Sequence, residues 1–395
     1  MKESVNVKNI GLRGVTVADT KVSFIDGTKG ILVYRGYRIE DLAKDASYPE
    51  VAYLLLHENL PSVGQLADFN KELHEAAIIP AYLYGAFKNY PAGANPMDVL
   101  QSGIPLLSMI DPELHDNSKE ANRRMAVRLI ARLPMLVAAW HRMRRGLEPL
   151  PADHNLSHTA NFLYQLQGRK PTDSMVKVLD TCLVLHADHT FNASTFSCRQ
   201  VVSTRAHMYA GVTAGIGALS GSLHGGANAK VMKMLLSLKD EKDVVSWVKE
   251  QINSGQLIMG MGHAVYKTMD PRAKFLKEMA INLGKETGQE KLVELSMLIE
   301  ETALAEFAKR GKNEIKPNVD FYSASVYHLL GIPMDLMTPI FAISRIAGWT
   351  AHIIEEKTGE AQEKPALYRP KAEYIGQYCG SMGCTFNPLE ERNAA

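Results

Sequence analysis

The chain has 395 residues, enough for two domains, because single hydrophobic cores rarely grow beyond about 250–300 residues. Its 44 lysines and arginines are balanced by 43 aspartates and glutamates, so no overall charge is available to attract nucleic acid or an anionic membrane surface. No apolar stretch approaches the ~18 residues that span a bilayer, and the first residues lack the form of a secretory signal, so we expect a cytoplasmic protein.

The first part of the chain predicts a small β element, and most of the remaining chain predicts helices. Between Asn6 and Arg35, short runs rich in valine, isoleucine and threonine are broken by turn residues at Asp26, Gly27 and Gly30, a pattern typical of a β hairpin or meander. Prolines then divide the chain into short helices, since proline starts a helix readily and interrupts one badly. These prolines are Pro49, Pro61, Pro80, Pro91, Pro96, Pro105 and Pro112.

Two histidines end an apolar helical stripe that starts at Met175. His186 and His189 continue the spacing of that stripe and lie one helical turn apart, so they could in principle hold a metal ion. The chain has neither a His-Glu-x-x-His motif nor a Cys-x-x-Cys pair. We therefore predict no metal site.

The segment from Leu223 to Asn228 presents a histidine at a Gly-Gly turn that opens a helix. Gly225 and Gly226 can adopt backbone angles that other residues resist, and the apolar residues after them recur at helical spacing. The free N–H groups and the positive dipole end of that helix disfavour a protonated His224 and lower its pKa. A neutral imidazole can donate a hydrogen bond to a developing oxyanion. From this segment alone, the alternative is that His224 is a turn residue without a catalytic role.

Two later segments supply further candidates for catalysis or binding. An apolar run from Leu257 leads into a glycine-punctuated loop that presents His263, followed by Lys267 and Arg272. Such loops let backbone groups approach a flat ligand closely. Asp320 follows a Pro-Asn pair among apolar neighbours, which can desolvate its carboxylate and raise its basicity. A ligand-free loop, and an aspartate that only caps a helix over 321–330, are the alternatives.

Near the C-terminus, a Thr-Pro pair at 338–339 predicts the start of a long helix that reaches about Lys357. Phe341, Arg345, Trp349 and His352 share one face of this helix. A guanidinium group on such an apolar face needs a partner, which is either a structural acid or an anionic ligand.

Short motifs that carry these residues occur in order along the chain. They are Ile25-Asp-Gly27, Tyr34-Arg-Gly-Tyr37, His186-Ala-Asp-His189, Asn192-Ala-Ser-Thr195, Ser222-Leu-His-Gly-Gly-Ala227, Gly260-Met-Gly-His-Ala-Val-Tyr266, Asp270-Pro-Arg272, Pro317-Asn-Val-Asp-Phe-Tyr-Ser323, Ser344-Arg-Ile-Ala-Gly-Trp-Thr-Ala-His352 and Arg369-Pro370. Their residues and their order resemble the citrate synthase family in its shorter bacterial and archaeal form. The resemblance covers nearly the whole chain.

This resemblance implies a mainly α, citrate synthase-like fold of two helical domains, with the small β element at the N-terminus. It implies a large helical domain made of residues 1–224 and 328–395, with a small domain inserted at 225–327. The two domains would close over the active site between them.

The resemblance also implies an acyltransferase that condenses acetyl-CoA with oxaloacetate and hydrolyses the citryl thioester to citrate and CoA. Asp320 would remove a proton from the acetyl methyl group while His224 donates a hydrogen bond to the thioester oxygen. The resulting enol would attack the ketone of oxaloacetate, which His263 would polarise before supplying a proton to the new alkoxide. Because coenzyme A arrives as a substrate, no cofactor is implied.

Substrate-binding roles are implied by the same resemblance. The implied oxaloacetate ligands are His189, Arg272, Arg345 and Arg369, with Arg369 contributed by the second subunit of a homodimer. Planar guanidinium groups suit the two carboxylates of this substrate. The implied CoA ligands are the backbone of Leu257, Ile258, Met259, Gly260, Met261 and Gly262, with Lys267 and Lys312 as phosphate contacts.

Three other functions remain open from the sequence. A 2-methylcitrate synthase would use the same residues on propionyl-CoA, and nothing in Phe191, Phe321 or Leu329 decides the length of the acyl chain. A lyase would cleave citryl-CoA in the reverse direction. A catalytically silent assembly protein would keep the fold without the chemistry, although the presence of His224, His263 and Asp320 argues against it.

Overall fold

The computed structural model describes residues 11–12, 14–238, 240–361, 366–378, 380–381 and 383–392. Within this part, sixteen α-helices and one small sheet form the regular structure, with short 3-10 turns at Met334–Leu336 and Leu389–Glu391. The first eight helices are α1 Ile39–Asp45, α2 Tyr48–His57, α3 Val63–Ala76, α4 Ala81–Lys88, α5 Pro96–Ser108, α6 Lys119–Met143, α7 His158–Gln167 and α8 Asp173–His186. The last eight are α9 Ala193–Val202, α10 Met208–Ser220, α11 Ala227–Ser237, α12 Glu241–Asn253, α13 Ala273–Thr287, α14 Glu290–Ala308, α15 Val319–Leu329 and α16 Met337–Thr358.

The N-terminal β element is a three-stranded antiparallel sheet. Strand β1 (Ser23–Asp26) pairs with β2 (Ile31–Tyr34), and β2 pairs with the short β3 (Tyr37–Arg38). Asp26 Oδ1 accepts hydrogen bonds from the N–H groups of Thr28 and Lys29, each at 3.0 Å, which fixes the turn between the first two strands. The predicted β element is confirmed for the first two strands, and the third strand lies just beyond the predicted limit at Arg35. Residues 6–10 and 13 of the prediction lie outside the described part.

Prolines begin some helices and lie inside others. Pro49 and Pro96 lie in the first turns of α2 and α5, as the sequence predicts. The expectation that Pro105 would separate two helices is wrong, because this residue lies inside α5. Ile104 and Leu107 are fully buried on either side of it, so apolar packing outweighs the backbone hydrogen bond that proline removes.

Helix α16 lies at the centre of the core. It packs against α2, α6, α8, α9 and α10, and the side chain of Trp349 is fully buried. Polar contacts join this helix to the start of the described chain. The N–H group of Lys21 donates to Glu355 Oε1 at 2.7 Å, and the hydroxyl of Tyr48 donates to the carbonyl of Ser344 at 3.0 Å. The N-terminal and C-terminal segments therefore complete one core.

Helices α11 to α15 pack mainly on one another. The principal contacts join α12 to α14, and α15 to both α11 and α13. Fewer contacts join this group to α16 and α8. The limits of the predicted small domain, at 225 and 327, stay a prediction, and α15 itself continues to Leu329. Across the described residues, none of the helices combines the length and the apolar character that a membrane crossing requires.

Candidate active site

A cavity of about 350 Å³ lies where five segments of the chain meet. These segments are the loop after α8, the turn before α11, the loop before α13, and the first turns of α15 and the long helix α16. Six of the residues selected from the sequence line this cavity, namely His189, His224, His263, Arg272, Asp320 and Arg345. They come from positions up to 156 residues apart (345 − 189), so only the tertiary fold brings them together.

The imidazole of His224 is held in one tautomer by the start of α9. The backbone N–H of Ser194 donates to His224 Nε2 at 3.2 Å, and the hydroxyl of Ser194 lies 2.8 Å from the same nitrogen. Since a backbone N–H can only donate, Nε2 is an acceptor and the proton lies on Nδ1. Burial, and then the charge of Arg345, lower the pKa of His224 to about 4. The predicted direction of the pKa shift is confirmed. Its main cause is burial and not the helix dipole that the sequence suggested.

The two glycines after His224 are required by the backbone path. Gly226 has a φ of +77° and is the N-cap of α11. A Cβ atom at Gly225 would overlap the carbonyl oxygen of Leu219 at the end of α10. The turn can therefore bring His224 close to α10 only with glycine at both positions.

His263 is also neutral, with its proton on the other ring nitrogen. Its Nδ1 accepts hydrogen bonds from the N–H groups of Val265 at 3.0 Å and Tyr266 at 3.2 Å, so Nε2 carries the proton. Burial, followed by the charge of Arg272, lowers its pKa to about 4. The ring of His189 packs edge-on against that of His263, with centroids 5.4 Å apart, and its Nε2 lies 3.3 Å from the Tyr266 hydroxyl.

Asp320 occupies the first turn of α15, and its side chain does not cap the helix. Asn318 is the N-cap, and its side-chain oxygen accepts from the N–H of Asp320 at 2.9 Å. The alternative in which Asp320 caps the helix is therefore wrong, because the preceding asparagine has already taken that position. Burial raises the pKa of the Asp320 carboxyl to about 6, although the charges of Arg272 and Arg345 oppose the shift. The group is thus a stronger base than an exposed carboxylate.

The two arginines of the cavity differ in their partners. Arg272 forms a two-point ion pair with Asp270, at 2.9 and 2.8 Å, and this pair is almost fully buried. Although burial opposes its charge, Asp270 raises the pKa of Arg272. Arg345 donates to the carbonyl of His186 at 2.7 Å and lies over the ring of Phe341. Among the described residues no carboxylate lies within ion-pair distance of it, and burial lowers its pKa to about 10.

The segment from Leu257 to Gly262 is fixed to the start of α15 through backbone contacts. The N–H of Gly262 donates to the carbonyl of Lys316 at 2.8 Å, and the N–H of Asn318 donates to the carbonyl of Gly260 at 2.9 Å. The side chain of Asn318 also donates to the carbonyl of Gly262 at 2.8 Å. Three hydrogen bonds therefore hold this segment against the residues just before Asp320.

Four predicted binding residues lie on the surface of the chain. Leu257, Lys267, Lys312 and Arg369 are exposed and do not line the 350 Å³ cavity. Of these, Lys267 is four residues from His263, and its backbone N–H donates to the carbonyl of Gly27 at 2.9 Å. Arg369 lies in the C-terminal segment after α16.

Three supporting residues were not given roles from the sequence. Ser194 orients His224, Asp270 pairs with Arg272, and Asn318 joins the 257–262 segment to α15. All three lie within the motifs named from the sequence, and Asp270 and Asn318 are each two residues from a selected side chain. Position alone was the available signal, because their roles depend on partners that are up to 58 residues away (318 − 260).

Comparisons with known proteins agree with this arrangement. A family model described as "Citrate synthase, C-terminal domain" matches residues 11–371. Citrate synthase 2 of Bacillus subtilis (strain 168) is 44% identical over 384 residues, which cover 97% of this chain and 98% of that protein. The 2-methylcitrate synthase of Shewanella oneidensis is 36% identical over 379 residues, which cover 95% of this chain and 97% of that protein.

Solved citrate synthases have a fold similar to that of this chain. One is the solved ternary complex of carboxymethyl coenzyme A and oxaloacetate with citrate synthase from Thermoplasma acidophilum. It has a TM-score of 0.87 at 32% identity, and the match covers 97% of this chain and 99% of that one. The predicted mainly α, citrate synthase-like fold is thereby confirmed. With a family model, close relatives and a fold that all span nearly its full length, the chain belongs to the citrate synthase family.

Proposed function

We propose that this enzyme condenses acetyl-CoA with oxaloacetate and releases citrate and CoA. The chain belongs to a family of condensing enzymes of the acyltransferase type. The observation that carries the proposal is one cavity in which a carboxyl of raised pKa faces two neutral histidines and two arginines. These groups suit proton abstraction next to a carbonyl and the binding of a dicarboxylate.

The first step in this proposal forms an enolate. Asp320 takes a proton from the methyl group of the thioester, and the Nδ1–H of His224 donates a hydrogen bond to the thioester oxygen as negative charge develops there. The support is that burial makes Asp320 more basic and that Ser194 holds the tautomer of His224 that donates from Nδ1.

The second step forms the carbon–carbon bond. The methyl-derived carbon of the enolate attacks the ketone carbon of oxaloacetate, while the Nε2–H of His263 polarises the ketone and then protonates the new alkoxide. Water next attacks the citryl thioester carbonyl, and its proton restores the Nε2–H of His263. The carbon–sulfur bond breaks, and the leaving thiolate takes the proton from Asp320, which releases citrate and CoA. The backbone donors to Nδ1 of His263 support this role, because they leave only Nε2–H to donate.

Oxaloacetate is assigned to the arginine side of the cavity. Arg345 is the strongest candidate for a carboxylate ligand, because it is buried without an ion-pair partner among the described residues. Arg272 and His189 would complete the site within one chain. We assign Arg369 to the site of the partner subunit, which makes a homodimer part of the proposal. A related citrate synthase is solved as a ternary complex with carboxymethyl coenzyme A and oxaloacetate.

Coenzyme A is assigned to the loop beside Asp320. The backbone of residues 257–262 would contact the adenine, and Lys267 and Lys312 would contact phosphates. In this proposal the predicted small domain, 225–327, closes over both substrates, and the reaction takes place in the cytoplasm without a metal or prosthetic group. The small residues of the loop and its backbone contacts with α15 support the assignment.

The second candidate function is 2-methylcitrate synthesis from propionyl-CoA, because relatives with that name share 36 and 37% identity with this chain. Both thioesters present the same reacting atoms, and one methylene group changes selectivity by only about 10–200-fold. The experiment is a comparison of kcat/KM for acetyl-CoA and propionyl-CoA at saturating oxaloacetate. We expect a higher value for acetyl-CoA. A higher value for propionyl-CoA would reassign the substrate, and no condensation with either thioester would reject the proposal.

A further inference from the structure

A separate cavity of about 540 Å³ lies at the C-terminal end of α6. Its polar lining consists of His141, Arg144, Arg145, Gln167 and Arg169, which come from the ends of α6 and α7. The volume falls within the range of about 300–1,000 Å³ that is typical of small-molecule sites. None of these residues belongs to the candidate active site.

The imidazole of His141 has two cationic neighbours that compete for its one lone pair. Arg144 Nη2 lies 3.2 Å from Nδ1, and Arg145 Nη1 lies 3.2 Å from Nε2. Burial, followed by the charges of these arginines, lowers the pKa of His141 to about 4, so the ring is neutral at pH 7. A neutral imidazole has one acceptor nitrogen and one N–H. One of the two contacts therefore places an arginine N–H against a ring N–H, with no acceptor between them.

The contact that lacks an acceptor is the one between Arg145 and Nε2 of His141. Arg144 is held by Asp335 through two contacts, of which the Nη2–Oδ1 contact measures 3.0 Å, so it is fixed in place to donate to Nδ1. Nε2 then carries the proton and points to Arg145. The side chains of Arg145 and Arg169 are exposed, and among the described residues neither has a carboxylate within ion-pair distance. Among the residues that the structure describes, the site thus has one buried and two exposed donors without a protein acceptor.

A role in ending the helix does not account for this arrangement. Basic side chains often stabilise the last carbonyl groups of a helix. Here Arg144 and Arg145 turn towards an imidazole of the same helix, and Arg142 donates to the carbonyl of Glu148 in the following loop. The positive charges of Arg145 and Arg169 therefore remain in the lining of the cavity.

We propose that this cavity binds the phosphoryl group of a small phosphorylated molecule, with Arg145, Arg169 and the Nε2–H of His141 as donors. A phosphoryl group presents three acceptor oxygens in different directions, which matches donors from two helix ends better than a planar carboxylate does. The anion would also supply the missing acceptor between Arg145 and His141. The remaining cavity volume would hold the rest of the ligand.

The test uses inorganic pyrophosphate as the probe and isothermal titration calorimetry as the measurement. The full-length enzyme is titrated at constant ionic strength and without CoA, because the phosphates of CoA would compete for the cavity. Pyrophosphate bound in the candidate active site is recognised because the Arg145→Gln/Arg169→Gln variant retains it. We expect one equivalent to bind per chain. The double variant Arg145→Gln/Arg169→Gln should bind at least about 10-fold more weakly, because each charge-assisted hydrogen bond contributes about one order of magnitude or more.

The control removes the same charge elsewhere. Lys44→Gln/Lys71→Gln changes two side chains that are 76 and 75% exposed, and it should bind pyrophosphate like the unchanged enzyme. Equal weakening by both double variants would show a general charge effect and overturn the proposal, as would the absence of saturable binding. Equally tight and equally arginine-dependent binding of citrate would overturn the choice of a phosphoryl group. Acetyl-CoA turnover by both double variants checks that each has folded.

Discussion

Burial shifts the pKa of the carboxyl and of two histidines of the candidate active site in directions that suit proton abstraction next to a carbonyl. It raises the pKa of Asp320 to about 6 and lowers the pKa of both His224 and His263 to about 4. The carboxylate thereby becomes a better base, while the histidines keep N–H groups that can donate without carrying charge. One physical cause, burial, therefore raises the pKa of the carboxyl and lowers the pKa of both imidazoles.

Replacement of Asp320 tests its proposed role as the base. Asp320→Asn keeps the shape of the side chain but cannot accept a proton, so kcat should fall by about 10²–10⁴-fold. The melting temperature should not fall, because the raised pKa shows that burial disfavours the charged form that the variant removes. Steady-state kinetics, oxaloacetate titration and thermal unfolding measure these effects. Asp45→Asn, at a 74% exposed carboxylate, is the control, and near-normal turnover by Asp320→Asn would exclude it as the base.

The pH dependence of the reaction depends on the same group. Asp320 must be ionised to accept a proton, so kcat/KM for acetyl-CoA should decline below about pH 6, by about 10-fold per pH unit at the low end. His224 and His263 stay neutral through this range, because their pKa values are about 4. Recovery of activity after return to pH 8 separates titration from acid unfolding. A decline centred near pH 4 would contradict the pKa of Asp320.

At the scale of elements, the turn of the N-terminal sheet supports the loop that carries His263. The N–H of Lys267 donates to the carbonyl of Gly27, and a Cβ atom at Gly27 would overlap the carbonyl oxygen of Val265. The β1–β2 turn and this loop therefore meet backbone to backbone. Such an approach requires glycine, whatever the backbone angles.

Gly27→Ala should therefore displace the His263 loop. We expect a lower kcat/KM and a loss of about 1–3 kcal/mol in the free energy of unfolding, as for other overpacked sites. Gly85→Ala is the matched control, since Gly85 lies in α4 with open space around it, and this change should keep or slightly raise stability. Kinetics and denaturant unfolding of both variants provide the comparison. Equal kcat/KM and equal stability of the two variants would show that the close approach of Gly27 to Val265 has no role.

The sequence predicts the helices and strands better than it predicts the tertiary contacts between them. Spacing and turn residues locate the sheet, the helix after His224 and the long helix α16, although its N-cap is Leu336 and not the predicted Thr338. The motifs also identify six of the cavity residues. The pairing of Arg345 with the His186 carbonyl, 159 positions away, has no local signal, since tertiary packing creates it. The continuous helix around Pro105 has no local signal for the same reason.

At the scale of the whole molecule, the proposed homodimer makes Arg369 a test of shared sites. An inactive Arg369→Ala protein, reassembled with an inactive Asp320→Asn protein, should regain activity. If Arg369 serves the partner's site, each mixed dimer contains one site with both residues intact and one with neither. Turnover after mixing is the measurement, and subunit exchange is checked with differently tagged chains. Continued inactivity despite exchange would argue that each site belongs to one chain.

The hydrogen bond from Lys21 to Glu355 spans 334 positions, and this distance has a consequence for synthesis of the protein. At about 5–20 residues per second, a ribosome needs on the order of 20–70 s to make the chain between them. During this time the apolar faces of α2, α6 and α8 lack the helix that covers them. Nascent chains stalled before Met337 should therefore be sensitive to protease and should bind chaperones, and emergence of α16 from the ribosome should end both properties.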